Sequence, residues 1–214
     1  MGGLARVNGW KRTSLIVDPD NGRIPSIATE EQREKAHPPG GFGSVKDREL
    51  DERCLHVIGT PIKPNVVFRD FEIVQTPNHV MIMAELLHEV RIIRIGSQHV
   101  SPGVRQWLGD SIGHWDGDTL VIDTIGIDER TWNDYVGWFH SDQEHVVERL
   151  TRPSTNYLYY QVTIDDPKVL TKPWTSAPHA YTLGHEPLQE YYCTNNHELE
   201  GLKQLRDLTE GTHK

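Results

Sequence analysis

Between Arg105 and Asp123 the chain sets runs of strand-forming residues on either side of Asp116-Gly117, and this stretch constrains the fold more than any other. An Asp-Gly pair suits a two-residue hairpin turn, because such turns need positive φ at their centre. Strand, tight turn and strand then recur along the middle of the sequence. The pattern predicts strands over 13–17, 71–75, 80–87, 90–95 and 104–108, and again over 119–125, 144–151, 157–164, 172–176 and 188–193. No helical crossovers separate them, so a parallel α/β sheet is excluded. Consecutive antiparallel strands on short turns make a meander, and about nine of them usually close on themselves to remove exposed edges. The expectation is an all-β fold: an antiparallel meander closing into a lipocalin-like barrel.

Short helices frame this body. Thr29 and Gln32 have capping-box spacing and predict a helix over 30–36, stopped by Pro38 and Pro39. Leu199, Leu202, Leu205 and Leu208 mark a C-terminal helix over 196–210, packed on the barrel or used for a homodimer. Residues 1–12 read as an irregular arm. With 214 residues the chain is read as one domain over 1–214, long enough to bury a core without metal or disulfide support.

Charge narrows the partners. A net charge of −9 and basic runs of at most two residues argue against nucleic acid. No apolar run approaches the roughly 20 residues of a membrane helix, and the first residues carry no apolar signal core. A cytoplasmic protein is expected, or an exported one numbered after removal of a leader. The expected partner is a small-molecule ligand or substrate. Cys54 and Cys193 are the two cysteines. They fit no metal or redox motif, and read either as buried thiols or as one disulfide, the latter implying export.

The candidate chemistry is acid–base. The predicted strand 80–87 is apolar apart from Glu85, which shares a face with Met81 and Met83. A carboxylate there needs a partner, and burial would raise its pKa toward that of a general acid or base. Glu85, His88 and Arg91 form the tightest constellation, with a structural ion pair as the plainer reading. Arg105 and Trp107 share a face, and Trp115 has the parity of Gly113; an Arg beside Trp could clamp an anion or simply brace the hairpin. Asp110 and Ser111 read as a turn or bulge.

The hairpin from 144 offers His145 and Arg149 with Tyr157 and Tyr159 on one face, and Glu148 with Tyr160 on the other. Either could line the interior. The long connection 126–143 carries Trp132, Tyr135, Trp138, Phe139 and His140, and reads as a lid over an apolar ligand or as a plug of core. Twelve histidines fall in no metal motif, so a metal site would have to be gathered from separate strands.

Arg105, Gln106, Trp107, Gly109, Asp110, Ser111, Gly113, Trp115 and 117–121 together resemble the fingerprint of an uncharacterised bacterial protein family. Residues 12–18 and 22–25, 145–149, 165–167 and 173–174 are similar to further parts of it. The resemblance spans about residues 10–193. Members are larger, often exported proteins, so the chain resembles their C-terminal portion; the family carries no activity to transfer. After Cys193 the match fades, with 194–197 standing where members often have Cys-His-Glu.

These readings converge on a cofactor-independent acid–base enzyme, a lyase, dehydratase or isomerase acting on a small hydrophobic or aromatic metabolite inside the barrel. Glu85 or His88 is the expected base, Arg105 the anion stabiliser, and Tyr160 or His145 the proton donor. Trp107, Trp115, Trp132, Tyr135 and Trp138 are the expected binding residues. A non-catalytic ligand carrier and a metal-dependent hydrolase are the alternatives.

Overall fold

The computed structural model describes residues 6–7, 10–11, 14–29, 32, 54–55, 70–101, 103–131, 133 and 139–191. Among the described residues the elements are strands, apart from a 3-10 turn at Leu86–His88 and a helical Gln32. β1 (Arg6–Val7) and β2 (Trp10–Lys11) pair with each other, giving the expected irregular arm a short hairpin. The other ten form one sheet: β3 (Ile16–Asp18), β4 (Phe71–Gln75), β5 (His79–Ala84), β6 (Val90–Ile95), β7 (Asp110–Asp116), β8 (Thr119–Ile125), β9 (His145–Ser154), β10 (Tyr157–Asp165), β11 (Trp174–Ser176) and β12 (His179–Thr182).

The sheet runs β3-β11-β10-β9-β8-β7-β6-β5-β4, with β12 also paired to β10. All-β is therefore correct. Every pairing is antiparallel except β6 with β7, which is parallel and needs residues 96–109 to cross back over the sheet. Strand 104–108 does not form; in that crossover only Gln106 bridges, to Ile127. Leu188–Tyr191 is not a strand either. The Thr29 and Gln32 side chains make the two reciprocal capping hydrogen bonds, Gln32 N–H to Thr29 Oγ1 and Thr29 N–H to Gln32 Oε1. The rest of that predicted helix and the one over 196–210 lie outside the described residues.

The hairpin turn sits one residue later than the sequence suggested. Asp116 pairs with Thr119, so Gly117 and Asp118 are the central residues. Gly117 has φ +59° and Asp118 is not left-handed, the requirement of a II′ turn.

One face of the sheet forms the core. Val80, Ile82, Ile93, Leu120, Ile122, Val146, Leu150, Tyr160, Val162 and Ile164 are all buried on it. Ile127, Val169 and Leu170 join them, with Ile24, Ala28 and Phe139 packed alongside. Phe139 packs its part of the 126–143 connection against the core. The sheet curls around this core, and its two ends approach through side chains. The Phe71 ring on β4 meets Tyr181 on β12 edge-on at 5.0 Å. Gln189 N–H, beyond β12, donates to Glu85 Oε2 beyond β5 at 2.7 Å. Among the described residues no backbone pairing joins these ends, so the expected closed barrel is an open curled sheet.

Three polar side chains meet inside. Arg91 on β6 reaches across β7 and β8 to Glu148 on β9, with Nη1 to Oε2 at 2.7 Å and Nη2 to Oε1 at 3.0 Å. Tyr160 on β10 donates its hydroxyl to Glu148 Oε1 at 2.9 Å. Gly113 on β7 sits close under the same core: a Cβ there would lie 2.8 Å from Ile93 Cγ2 and 3.1 Å from Ile95 Cδ1.

Two predictions follow from this interior. Arg91→Met alone should cost about 3–5 kcal/mol by leaving the buried Glu148 carboxylate uncompensated, and Arg91→Met with Glu148→Leu should cost clearly less than the two singles summed. Urea titration of the four proteins checks this; strict additivity would mean the pair is not coupled. Gly113→Ala should destabilise by about 1–3 kcal/mol through overpacking, while His114→Ala, on the exposed face of the same strand, should stay within about 0.5 kcal/mol.

Candidate functional site

Among the described residues, the outer face of the sheet brings together a line of acid–base groups. Because successive strand residues face opposite sides, Ile122 points into the core while Asp123 points out, and Val146 points in while His145 points out. Asp110 opens β7 on that outer face. His99 arrives from the crossover connection and lies over the junction of β7 and β8.

These four side chains form a continuous line. His99 Nδ1 is 3.0 Å from Asp110 Oδ2, and His99 Nε2 is 2.9 Å from Asp123 Oδ1. His145 Nε2 approaches the same Asp123 oxygen at 3.0 Å. Asp110 is fixed further by Arg94 Nη2 at 2.7 Å and by Val100 N–H at 2.9 Å. A neutral imidazole has one N–H and one bare nitrogen, so it can donate to only one of two carboxylates. The His99 ring satisfies both of its partners only when it carries two protons or when a carboxyl carries one.

The electrostatics follow from these contacts. Asp123 is held below the usual carboxylate value by the hydrogen bond from His145, against burial that opposes it, with His99 helping. His145 is raised above the usual imidazole value by the same bond to Asp123, against partial burial; Asp165 adds to the rise. Burial, the largest influence on Asp110, pushes its carboxyl up, but Val100, His99 and Arg94 together bring it below the ordinary value. Asp110 is nearly sealed, whereas Asp123 is 37% and His145 42% exposed. The line therefore runs from a covered acid to an imidazole that solvent reaches.

Of the residues singled out from sequence, His145 stands in this site and Asp110 is one of its anchors rather than a turn. Glu85 is corrected: β5 ends at Ala84, and Glu85 leads into the 3-10 turn, partly exposed and accepting the Gln189 N–H. Positive φ at Leu87 breaks the strand there. His88 lies in that turn, and its side chain is outside the described part. Arg105 is exposed in the crossover, with Nη2 3.7 Å from Asp142, and does not reach an interior. Trp107 lies beneath the Arg130 guanidinium, 5.4 Å from its ring centre. Trp115 is 46% exposed near the hairpin tip. Trp132, Tyr135 and Trp138 lie outside the described residues.

Tyr160 faces the core with Glu148, which decides between the two faces of that hairpin. Its hydroxyl is held well above its usual pKa by burial first and by the Glu148 charge second, so it stays protonated as a donor. Asp123 and His99 were missed. An Asp in the apolar run 120–125 was a usable signal for the first; nothing in the sequence marked the second.

A second polar cluster anchors the 126–143 connection. Buried His140 meets Thr131 Oγ1 at 2.8 Å and lies 3.4 Å from Glu144, and Ser141 donates through N–H and hydroxyl to buried Asp166. Its groups are buried in one another's company. Among the described residues no set of three or more His, Cys, Asp or Glu is arranged to hold a metal ion, and no helix is long and apolar enough to cross a membrane. Cys54 is disulfide-bonded, which removes the reading of two buried thiols.

No protein-family model, curated protein or solved structure matches the chain. Function must be argued from the site.

The paired shifts set a pH window for stability. His145, raised on folding, contributes fully below its ordinary value of 6.5 and loses that contribution as pH rises through its folded value. Asp123, lowered on folding, contributes fully above 3.8 and loses it as pH falls through its folded value. Both groups are more than a third exposed, so water screens the contact and the amplitude is small. His145→Ala should flatten the decline in stability above pH 6.5, measured by denaturant midpoints across a pH series. An unchanged slope would show that the contact does not titrate with folding.

Proposed function

We propose that the chain is a cofactor-independent acid–base enzyme that moves a proton at the ring of His145. Asp123 orients that ring and stabilises its charged form. The chemistry belongs to lyases, dehydratases and isomerases acting on a small metabolite, because one positioned base that also returns the proton suffices for them. The observation that carries the reading is the 3.0 Å contact of His145 Nε2 with Asp123 Oδ1 at a half-exposed position. With the Nε2 proton given to Asp123, Nδ1 is the ring atom left to exchange a proton with substrate. A ring with raised proton affinity works first as the acid, and its carboxylate partner makes it the stronger base once emptied.

The interior trio of Arg91, Glu148 and Tyr160 supports catalysis less well. Its groups are almost fully buried and already satisfy one another. The scaffold is read as an open-sided barrel, with Phe71 against Tyr181 bringing the sheet ends into contact. Export from the cytoplasm is the compartment that the Cys54 disulfide supports, since disulfides persist in oxidising surroundings.

The test is proton exchange. Small 2-oxo acids, 3-hydroxy acids and aryl ketones are incubated with the protein in D2O, and deuterium entering carbon is followed by NMR. Wild-type protein should catalyse exchange on at least one compound, and His145→Ala should slow it by roughly 10²–10⁴-fold, with Asp123→Asn losing less. Undiminished exchange by His145→Ala, or none by wild type between about pH 5 and 9, would overturn the proposal.

A further inference from the structure

We infer that His99 is a positioning residue for this site, coupling the proton affinity of His145 to a second imidazole through one shared oxygen of Asp123. The inference rests on His145 being the working group. Its basis is geometric. Asp123 Oδ1 receives His99 Nε2 at 2.9 Å and His145 Nε2 at 3.0 Å. The other nitrogen of His99 is held at 3.0 Å by Asp110. Asp110 cannot yield, being tied to Arg94 and to the Val100 N–H. Turning the His99 ring away would therefore break both of its contacts at once.

Consider the neutral ring with its proton on Nδ1, toward Asp110. Its bare Nε2 then faces Asp123 and donates nothing. A second proton converts that contact into a charge-assisted hydrogen bond, on the same oxygen that holds His145. The contact between His99 and Asp123 is thus made or lost with one proton. When both rings are charged, two cations crowd one carboxylate, so each ring gains its proton partly at the other's expense.

The charged groups facing the pair are accounted for strand by strand. Arg94 on β6 is engaged with Asp110 on β7, Asp123 stands on β8, and Asp165 on β10 pairs in register with His145. Arg149, four residues along β9 from His145, is taken up by Asp116 at 2.7 Å. Asp123 is accordingly the one carboxylate here that both imidazoles touch among the described residues.

The experiment follows the ring Cε1–H resonances by ¹H–¹³C NMR through a pH titration of wild type, His99→Gln and Asp110→Asn. In wild type, His145 should titrate along a curve that departs from a single step. In His99→Gln it should titrate in a single step, with its midpoint moved up by about half a pH unit or more, roughly threefold in proton affinity. Asp110→Asn keeps the His99 ring but removes one of the two carboxylates it touches, and should move His145 in the same direction by less. This second variant carries the test if the first does not fold. One unchanged, single-step His145 curve in all the proteins would overturn the inference. Exchange that needs His145 while its curve ignores His99 would sink the positioning role alone. Coupled curves with exchange indifferent to His145→Ala would sink the catalytic reading and leave the coupling standing.

Discussion

The ion pair between Arg91 and Glu148 is the contact on which this architecture depends. A sheet curled around its own inner face must fill that space with side chains, and these two bridge strands that are not neighbours. Leaving either charge alone in such a setting would be costly, so the pair works only as a unit. Two arrangements make it work. The Tyr160 hydroxyl gives Glu148 a further donor. The apolar side chains of β8 and β10 exclude water around both.

The candidate site inherits rigidity from this interior. On β9, Glu148 and Val146 point into the core while His145 points out, and on β8 Ile122 points in while Asp123 points out. Each working group is thus one residue from a fully packed one. A strand fixed by its buried side chains cannot rotate its exposed ones far, and acid–base geometry of this kind is more accurate on strands than on loops. His99 is the exception, coming from the crossover, and it is held at both ring nitrogens instead.

Much of the fold was legible because strand periodicity and turn chemistry are local signals. β4 and β5 with the turn at Thr76–His79, and the pair β9 and β10, fall close to where alternation and Pro/Asn residues place them. The capping spacing of Thr29 and Gln32 was a local signal too. The parallel pairing of β6 with β7 was not, because parallel strands are chosen by side-chain packing between segments that no turn connects. The site was less legible for the same reason. Alternation in 144–160 narrowed the faces to two, and only burial could say that Glu148 and Tyr160 turn inward. Glu85 misled because an apolar run gives no warning of where a strand stops. Asp110 was read as a turn residue when its role comes from His99 and Arg94, both distant in sequence.

The seam between β6 and β7 has a mechanical meaning. It is registered by two residue pairs, Arg94 with Ile112 and Ile95 with Gly113, whereas β7 and β8 share seven. On one side β4, β5 and β6 pair in sequence order, and on the other β7, β8, β9 and β10 do, the kind of local topology that assembles quickly. The molecule is in effect two ribbons sewn together by a short stitch, with Arg94 gripping Asp110 beside it and the Arg91 bridge crossing beneath it. Pulled apart, it would part along that line before either ribbon unravelled.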